Sequence, residues 1–222
     1  MPESKQKKVQ TTLKTITKKF RKMNTGTELG VAMGNAKLGN NTLIINMGTA
    51  TDCPSAALGM CNAIKQGATC YALKPEIQYK EHTTNYRHKQ FSYWRNNTAT
   101  AIANDLIKKI ASRNGSPIKY VRFNEAGDFW DQNDIKKLST VAKKLKNFNI
   151  VTYGYTARRD LDFKDVNFLV KGSGHSKGNN GMTTIIETDA SIPEGFRECP
   201  GSCKTCNLCM VDKKFNIAFR KH

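Results

Sequence analysis

The chain has 222 residues, with 36 Lys and Arg against 18 Asp and Glu, a formal charge of +18 and a pI near 9.7. This length suits one good core better than two domains. No apolar run reaches the roughly 18 residues a membrane span needs, and no apolar segment follows the lysine-rich start as a secretory signal would require. The expected setting is a reducing compartment with no membrane partner. A positive excess of this size repels itself, and its usual counterpart is a polyanion, nucleic acid ahead of an anionic membrane.

Residues 1–24 read as a basic arm, carrying Lys5, Lys7, Lys8, Lys14, Lys18, Lys19, Arg21 and Lys22 against the single acid Glu3. Val9, Leu13, Ile16 and Phe20 would line one face of a helix, whereas Thr11, Thr12, Thr15 and Thr17 disfavour an isolated one. The arm is thus either a segment that turns helical against a partner or an ordinary tail. Residues 25–222 read as a single α/β metal-binding domain.

Glycines and asparagines between Thr25 and Asn41 spell turns, and Thr42–Met47 is the first strand. Cys53, Cys61 and Cys70 lie on the segment that leaves it. Tyr79 to Arg95 mixes Tyr79, Tyr86, Phe91, Tyr93 and Trp94 with Arg87, Lys89 and Arg95. That mixture suits either stacked bases with phosphate contacts or a long helix packed on a core, and the packed helix is favoured. Ile102, Leu106 and Ile110 mark a helix ended by Asn114–Pro117, and Ile118–Phe123 is a strand. Asp131 caps a helix bearing Ile135, Leu138, Val141 and Leu145; Ile150–Tyr155 is the next strand, with two more near 168–170 and 183–186. Strands alternating with helices predict a mostly parallel sheet, open or part of a barrel, with ligands at the carboxyl ends of the strands. Glu125 and Asp128, after the strand ending at Phe123, are the candidate catalytic carboxylates. A helix cap, or pairing with Arg122, Arg158 or Arg159, is the favoured alternative reading of both.

The chain ends in a cysteine run, Cys199, Cys203, Cys206 and Cys209, at C-x3-C-x2-C-x2-C spacing. Seven cysteines in a reducing compartment pose a metal question rather than a disulfide one. Structural zinc usually takes two C-x2-C pairs separated by a loop, whereas a cubane [4Fe-4S] cluster takes three close cysteines and one remote one. Iron-sulfur is therefore favoured over zinc, with one cluster or two. Cys53, Cys61 and Cys70 could supply the remote ligand or bind separately, and a site joining both groups would close the fold.

The spacing Cys199-x3-Cys203-x2-Cys206 is similar to the cluster motif of radical S-adenosylmethionine enzymes, although that motif follows the first barrel strand, a place held here by Cys53, Cys61 and Cys70. Cys53-Pro54-Ser55, Cys70-Tyr71-Ala72, Arg122 to Phe129, Tyr155 to Arg158 and the terminal run together resemble the phage family called gene product eighty-eight, with relatives in large DNA viruses. The resemblance implies a cysteine-ligated metal site on a partial-barrel-like fold, working inside the host, in its cytoplasm or nucleoid, or packaged in a virion.

Two functional classes follow. One is a non-catalytic iron-sulfur protein of viral type that binds DNA, or else RNA, through its backbone without sequence specificity, using the arm together with Arg87, Lys89 and Arg95; zinc is the alternative metal. The other is a radical S-adenosylmethionine-like enzyme. Under it the first three cysteines hold the reactive cluster, Glu125 and Asp128 face the cofactor, and the terminal run holds an auxiliary metal.

Overall fold

The structure is a computed structural model in which residues 28–61, 70–211 and 213–221 are described. The basic arm, with its eight cations, lies outside these residues. The elements are β1 (Ala32–Met33), β2 (Thr42–Met47), α1 (Pro54–Ala57), α2 (Leu73–Gln78), α3 (Lys80–Asn96), α4 (Ala99–Ala111), β3 (Tyr120–Gly127) and α5 (Gln132–Lys146). They continue with β4 (Val151–Thr156), β5 (Leu169–Ser173), β6 (Met182–Ile186), β7 (Phe196–Glu198) and β8 (Asn216–Arg220).

Local sequence accounts for most of these. All six side chains of β2 are buried, as a central strand of a parallel sheet requires. The α4 helix begins at Thr98, whose hydroxyl accepts from Ala101 N, and buries Ile102, Ala103 and Leu106 on one stripe. Asp131 caps α5 as expected, accepting from the backbone N–H groups of Asn133 and Asp134. Ile135, Leu138, Val141, Ala142 and Leu145 face inward from α5, each contributing about 1.5–3 kcal/mol by burial except the smaller Ala142. Lys143, Lys144 and Lys146 occupy its last turn, where they complement the helix dipole. In α3, Phe91, Tyr93 and Trp94 are buried, so these aromatic rings serve the core.

The eight strands form one sheet in the order β1-β2-β3-β4-β5-β6-β8-β7, with every pairing parallel except β1 with β2. Leu43, Ile45, Met47, Val121, Phe123 and Val170 share one core with the apolar faces of α3, α4 and α5. The sheet is open, since β1 and β7 are its edges. It nevertheless curls. Tyr155 of β4 and Phe219 of β8 stand three strands apart, about 14 Å on a flat sheet, yet their rings meet at 6.4 Å. Lys37, from the turn between β1 and β2, also reaches over Phe219 at 5.6 Å. The face bearing Tyr155 is therefore concave.

Three expectations need correction. No helix joins β4 to β5 or β5 to β6; residues 157–168 and 174–181 are irregular, so strict alternation holds only as far as β4. The strand expected to end at Phe123 runs on to Gly127 as a bulge, because Ile45 pairs with Phe123 but Met47 with Gly127. Asn124 adopts φ 58° within it, and Asn46 Oδ1 accepts from Ala126 N, supplying a ladder bond the bulge interrupts. Gly127, at φ 74°, closes the bulge; a Cβ there would lie 2.5 Å from the Met47 carbonyl carbon. Finally, closure of the fold by a metal site is not seen. Among the described residues, no three Cys, His, Asp or Glu side chains stand in an arrangement that could hold a metal ion.

Candidate metal centre and the ends of the sheet

The carboxyl ends of β2, β3 and β4 are tied together by one carboxylate. Asp128 Oδ2 accepts from Ser55 Oγ at 2.6 Å and Ala157 N at 2.8 Å. Its Oδ1 accepts from Thr156 Oγ1 and Phe129 N, each at 2.8 Å, and from Asn124 Nδ2 at 3.2 Å. Burial raises the Asp128 carboxyl above its ordinary range, and these donors oppose that rise. Glu125 lies inside the bulge, accepting from Asn35 Nδ2 at 3.2 Å with Arg122 at 3.8 Å. Arg158 reinforces the same end, donating to the Phe129 and Trp130 carbonyls and forking onto Asp160.

The first cysteine group sits beside Asp128. Cys53 is the N-cap residue of α1, and burial, then Asp128, then Cys61 push its thiol above the ordinary range. Burial also raises Cys70, with Cys61 and Glu76 adding to it. Around this group Glu76 Oε1 accepts from Ala50 N at 2.8 Å and from Arg87 at 2.5 Å. Asp52 Oδ2 lies 3.0 Å from His88 Nε2. Arg87 is thus held inside the fold and does not present its guanidinium to a polyanion. Of its companions, Lys89 is exposed, and Arg95 is half-buried against Asp134 at 2.9 Å and over the Phe91 ring.

The terminal cysteines occupy a second place. Strands β7 and β8 are parallel neighbours, so the chain must cross over between them, and residues 199–215 make that crossover. Where such a connection is usually a helix, the described residues of this one form no helix and no strand. Its cysteines are pinned on two sides: Cys199 N donates to Ala218 O and Cys203 N to Lys37 O, each at 2.9 Å. The run therefore straps the concave face from β8 to the β1–β2 turn.

Beneath the strap stand Arg122, Tyr153, Tyr155 and Lys171, the concave-face positions of β3, β4 and β5. Tyr153 and Tyr155 meet edge to face at 6.5 Å, and Arg122 lies 5.3 Å over Tyr155. Lys171 is buried, donating to the carbonyls of Asn180 and Phe215. The thiols act on this layer and on one another. Burial raises Cys203 first, followed by Cys209, while Lys37 opposes; burial likewise raises Cys209, with Tyr155 and Lys171 opposing and Cys199 and Cys206 adding to it. All seven cysteines are free. The two groups keep separate neighbours, which is why no single site joins them.

The run supplies four soft sulfurs of the kind a thiophilic metal takes, in a segment where Met210 is the one buried residue among the described residues 199–211, but no three of them stand in an arrangement that could hold a metal ion. Two polar atoms in the layer beneath also have no partner, Tyr153 Oη and Arg122 Nε. The raised thiols mean that a metal must displace protons to bind. Tyr153, Tyr155, Arg122 and Lys171 were not singled out as site residues by sequence. Their alternation along β3 and β4, 120/122 and 153/155, is the signal that could have found them.

His175, in the loop after β5, takes a defined tautomer: Nδ1 accepts from Lys177 N at 3.2 Å, so Nε2–H donates to Thr156 O at 3.1 Å. Burial lowers its pKa from 6.5, helped by Arg159 and Lys177 and opposed by the Thr156 carbonyl and Asp160. The folded state thus prefers neutral imidazole. Its contribution is complete above about pH 6.5 and is lost as pH falls below that value. Urea titrations of wild type and His175→Gln should diverge above about pH 6.5 and converge on acidification; a pH-independent difference would contradict this assignment.

A third feature is basic. The carboxyl-terminal turns of α4 and α5, which pack together, lie at the end of the sheet where β3 and β4 begin. Lys108, Lys119, Lys143 and Lys146 are exposed there, beside exposed Phe148. Among the described residues, no helix is long and apolar enough to cross a membrane.

An open, mostly parallel sheet that gathers free thiols at its carboxyl end and across its concave face defines a mixed α/β protein. A family model described as gene product 88 matches residues 5–172, three quarters of the chain, and the chain belongs to that family. The matched segment contains the first cysteine group and ends before the terminal run. No curated protein and no solved structure matched the chain.

Proposed function

We propose that the protein binds a metal through Cys199, Cys203, Cys206 and Cys209, with a [4Fe-4S] cluster the favoured occupant and zinc the alternative. What supports this reading is the strap itself: a parallel crossover whose described residues form no helix or strand and which brings four cysteines, Cys209 acting on Cys203 and Cys199 and Cys206 acting on Cys209, over a polar, cationic layer. A cluster would supply a one-electron couple there, and zinc a structural tie. Cys53, Cys61 and Cys70 remain candidates for a second centre. The radical-enzyme reading draws less support, because Asp128 commits both oxygens to five donors and Glu125 is engaged by Asn35. Protein purified without oxygen should carry metal, and Cys203→Ala should lose it; metal retained in full by the variant would place the centre elsewhere.

A second property rests on the basic end. The exposed lysines of α4, α5 and Lys119, with the +18 charge, suit the phosphate backbone of DNA, or of RNA, read without sequence preference. This binding would work in the reducing interior of a host cell, where the free thiols stay reduced. Converting Lys143 and Lys146 to Glu should weaken duplex binding at every sequence and flatten the log-log salt dependence by about two. An unchanged slope would remove these lysines from the interface.

A further inference from the structure

We propose that Phe148 is a stacking platform for an unpaired base, so that the basic end of the sheet takes single-stranded DNA, with the surrounding lysines on its phosphates. The inference rests on the nucleic-acid reading above and deepens it by naming the kind of strand. Phe148 is 57% exposed, whereas every other phenylalanine of the described residues is buried or half-buried. A lone exposed apolar side chain is ordinary. What sets this one apart is how it is held and what surrounds it.

The turn that carries it is fixed by its own backbone. Helix α5 ends in a Schellman motif, in which Asn149 N donates to Lys146 O at 3.0 Å and Ile150 N to Leu145 O at 3.2 Å, with Asn149 at φ 58°. Leu145 and Ile150, the two residues such a motif brings together, both belong to the core, and Phe148 is left on the outer side of the turn. The ring is thus displayed by an ordered backbone, which lowers the ordering cost when a ligand stacks on it. Around it the charge has one sign. Neither residues 106–124 nor residues 135–159 contain an Asp or Glu. Lys144 precedes Phe148 by four positions, one helical turn away. Lys119 O accepts from Val151 N at 2.9 Å, which sets Lys119 on the neighbouring strand across from the end of the turn. Lys108, Lys143 and Lys146 are exposed at the same end. The acid that does reach it, Glu28, pairs with Lys109 at 2.8 Å.

A flat apolar ring among cations matches a polyanion that also offers flat apolar faces. An anionic lipid surface would be held through a broad apolar face, and here one ring stands clear. In a duplex the base faces are covered by their neighbours, and a wedge between them costs roughly a few kcal/mol of unstacking per step. A single strand presents its bases without that cost, and stacking accepts any base. Neither ring nor lysines touch the 2′-hydroxyl by which a site tells RNA from DNA, so the strand is assigned as DNA.

The test measures fluorescence anisotropy of the full chain at one salt concentration with short probes of equal length: oligothymidylate, an abasic deoxyribose-phosphate strand, oligouridylate and a duplex. Wild type should bind oligothymidylate about tenfold more tightly than the abasic strand, the effect of about one stacked base. Phe148→Ala should lose that preference while its abasic-strand affinity and urea midpoint stay at wild-type values, and Phe148→Trp should restore the preference. A wild-type preference in Phe148→Ala would overturn the inference, as would an equal loss on the duplex; oligouridylate bound far more tightly than oligothymidylate would overturn the assignment to DNA. Wild-type protein that binds none of the four probes would overturn the nucleic-acid reading beneath it instead.

Discussion

Replacing Asp128 with alanine is expected to lower stability by about 3–5 kcal/mol, enough to consume much of the margin of a domain this size. The reason is geometric. Ser55, Asn124 and Thr156 can turn their side chains toward other acceptors, but the N–H groups of Phe129 and Ala157 are fixed in the backbone. A donor stranded in the interior costs about 1–3 kcal/mol, and two are stranded at once. The ends of β3 and β4 and the start of α1 would also lose their common tie. Asp128→Asn keeps the shape and one acceptor oxygen, so its cost should be smaller. Urea unfolding of both variants tests the ranking, and a near-neutral alanine variant would refute the role assigned to the carboxylate.

Glu76→Ala is expected to cost a similar 3–5 kcal/mol, through a charge rather than a hydrogen-bond hub. Glu76 and Arg87 are both buried and pair at 2.5 Å, with Arg87 also donating to Ala72 O at 2.7 Å. Without the carboxylate, a guanidinium stays in the interior uncompensated, and Ala50 N loses its acceptor. Adding Arg87→Met removes the stranded charge, so the double variant should recover much of the loss. A double variant as unstable as Glu76→Ala alone would show that the pair is not the source of the cost.

Arg87 also illustrates where sequence reading reached its limit. In a stretch dense in cations and aromatic rings, composition suits a nucleic-acid surface and a packed helix alike. What decides between them is that Glu76, eleven positions earlier, turns inward to meet it. The parallel sheet was legible because Thr42–Met47 and the apolar stripes of α4 and α5 follow simple periods. The bulge in β3 was not, since Asn124 to Gly127 has loop composition and holds its place through the side chain of Asn46. Strand β7 has three residues and little apolar pattern, so the crossover it begins, and the placing of the cysteine run across the concave face, became visible only in the fold. The cysteines themselves stood out at once. Their neighbours did not, because Tyr153, Arg122 and Lys171 read as ordinary strand residues until the curl of the sheet brings them under the strap.

The central claim is that the strap is a metal site. The most direct test is iron, zinc and acid-labile sulfide per chain in wild-type protein purified without oxygen, with Cys203→Ala alongside. About four irons with matching sulfide, lost in the variant, is the predicted result. Zinc without sulfide would keep the strap as a metal site and remove its redox chemistry. Protein that folds with neither metal would contradict the account.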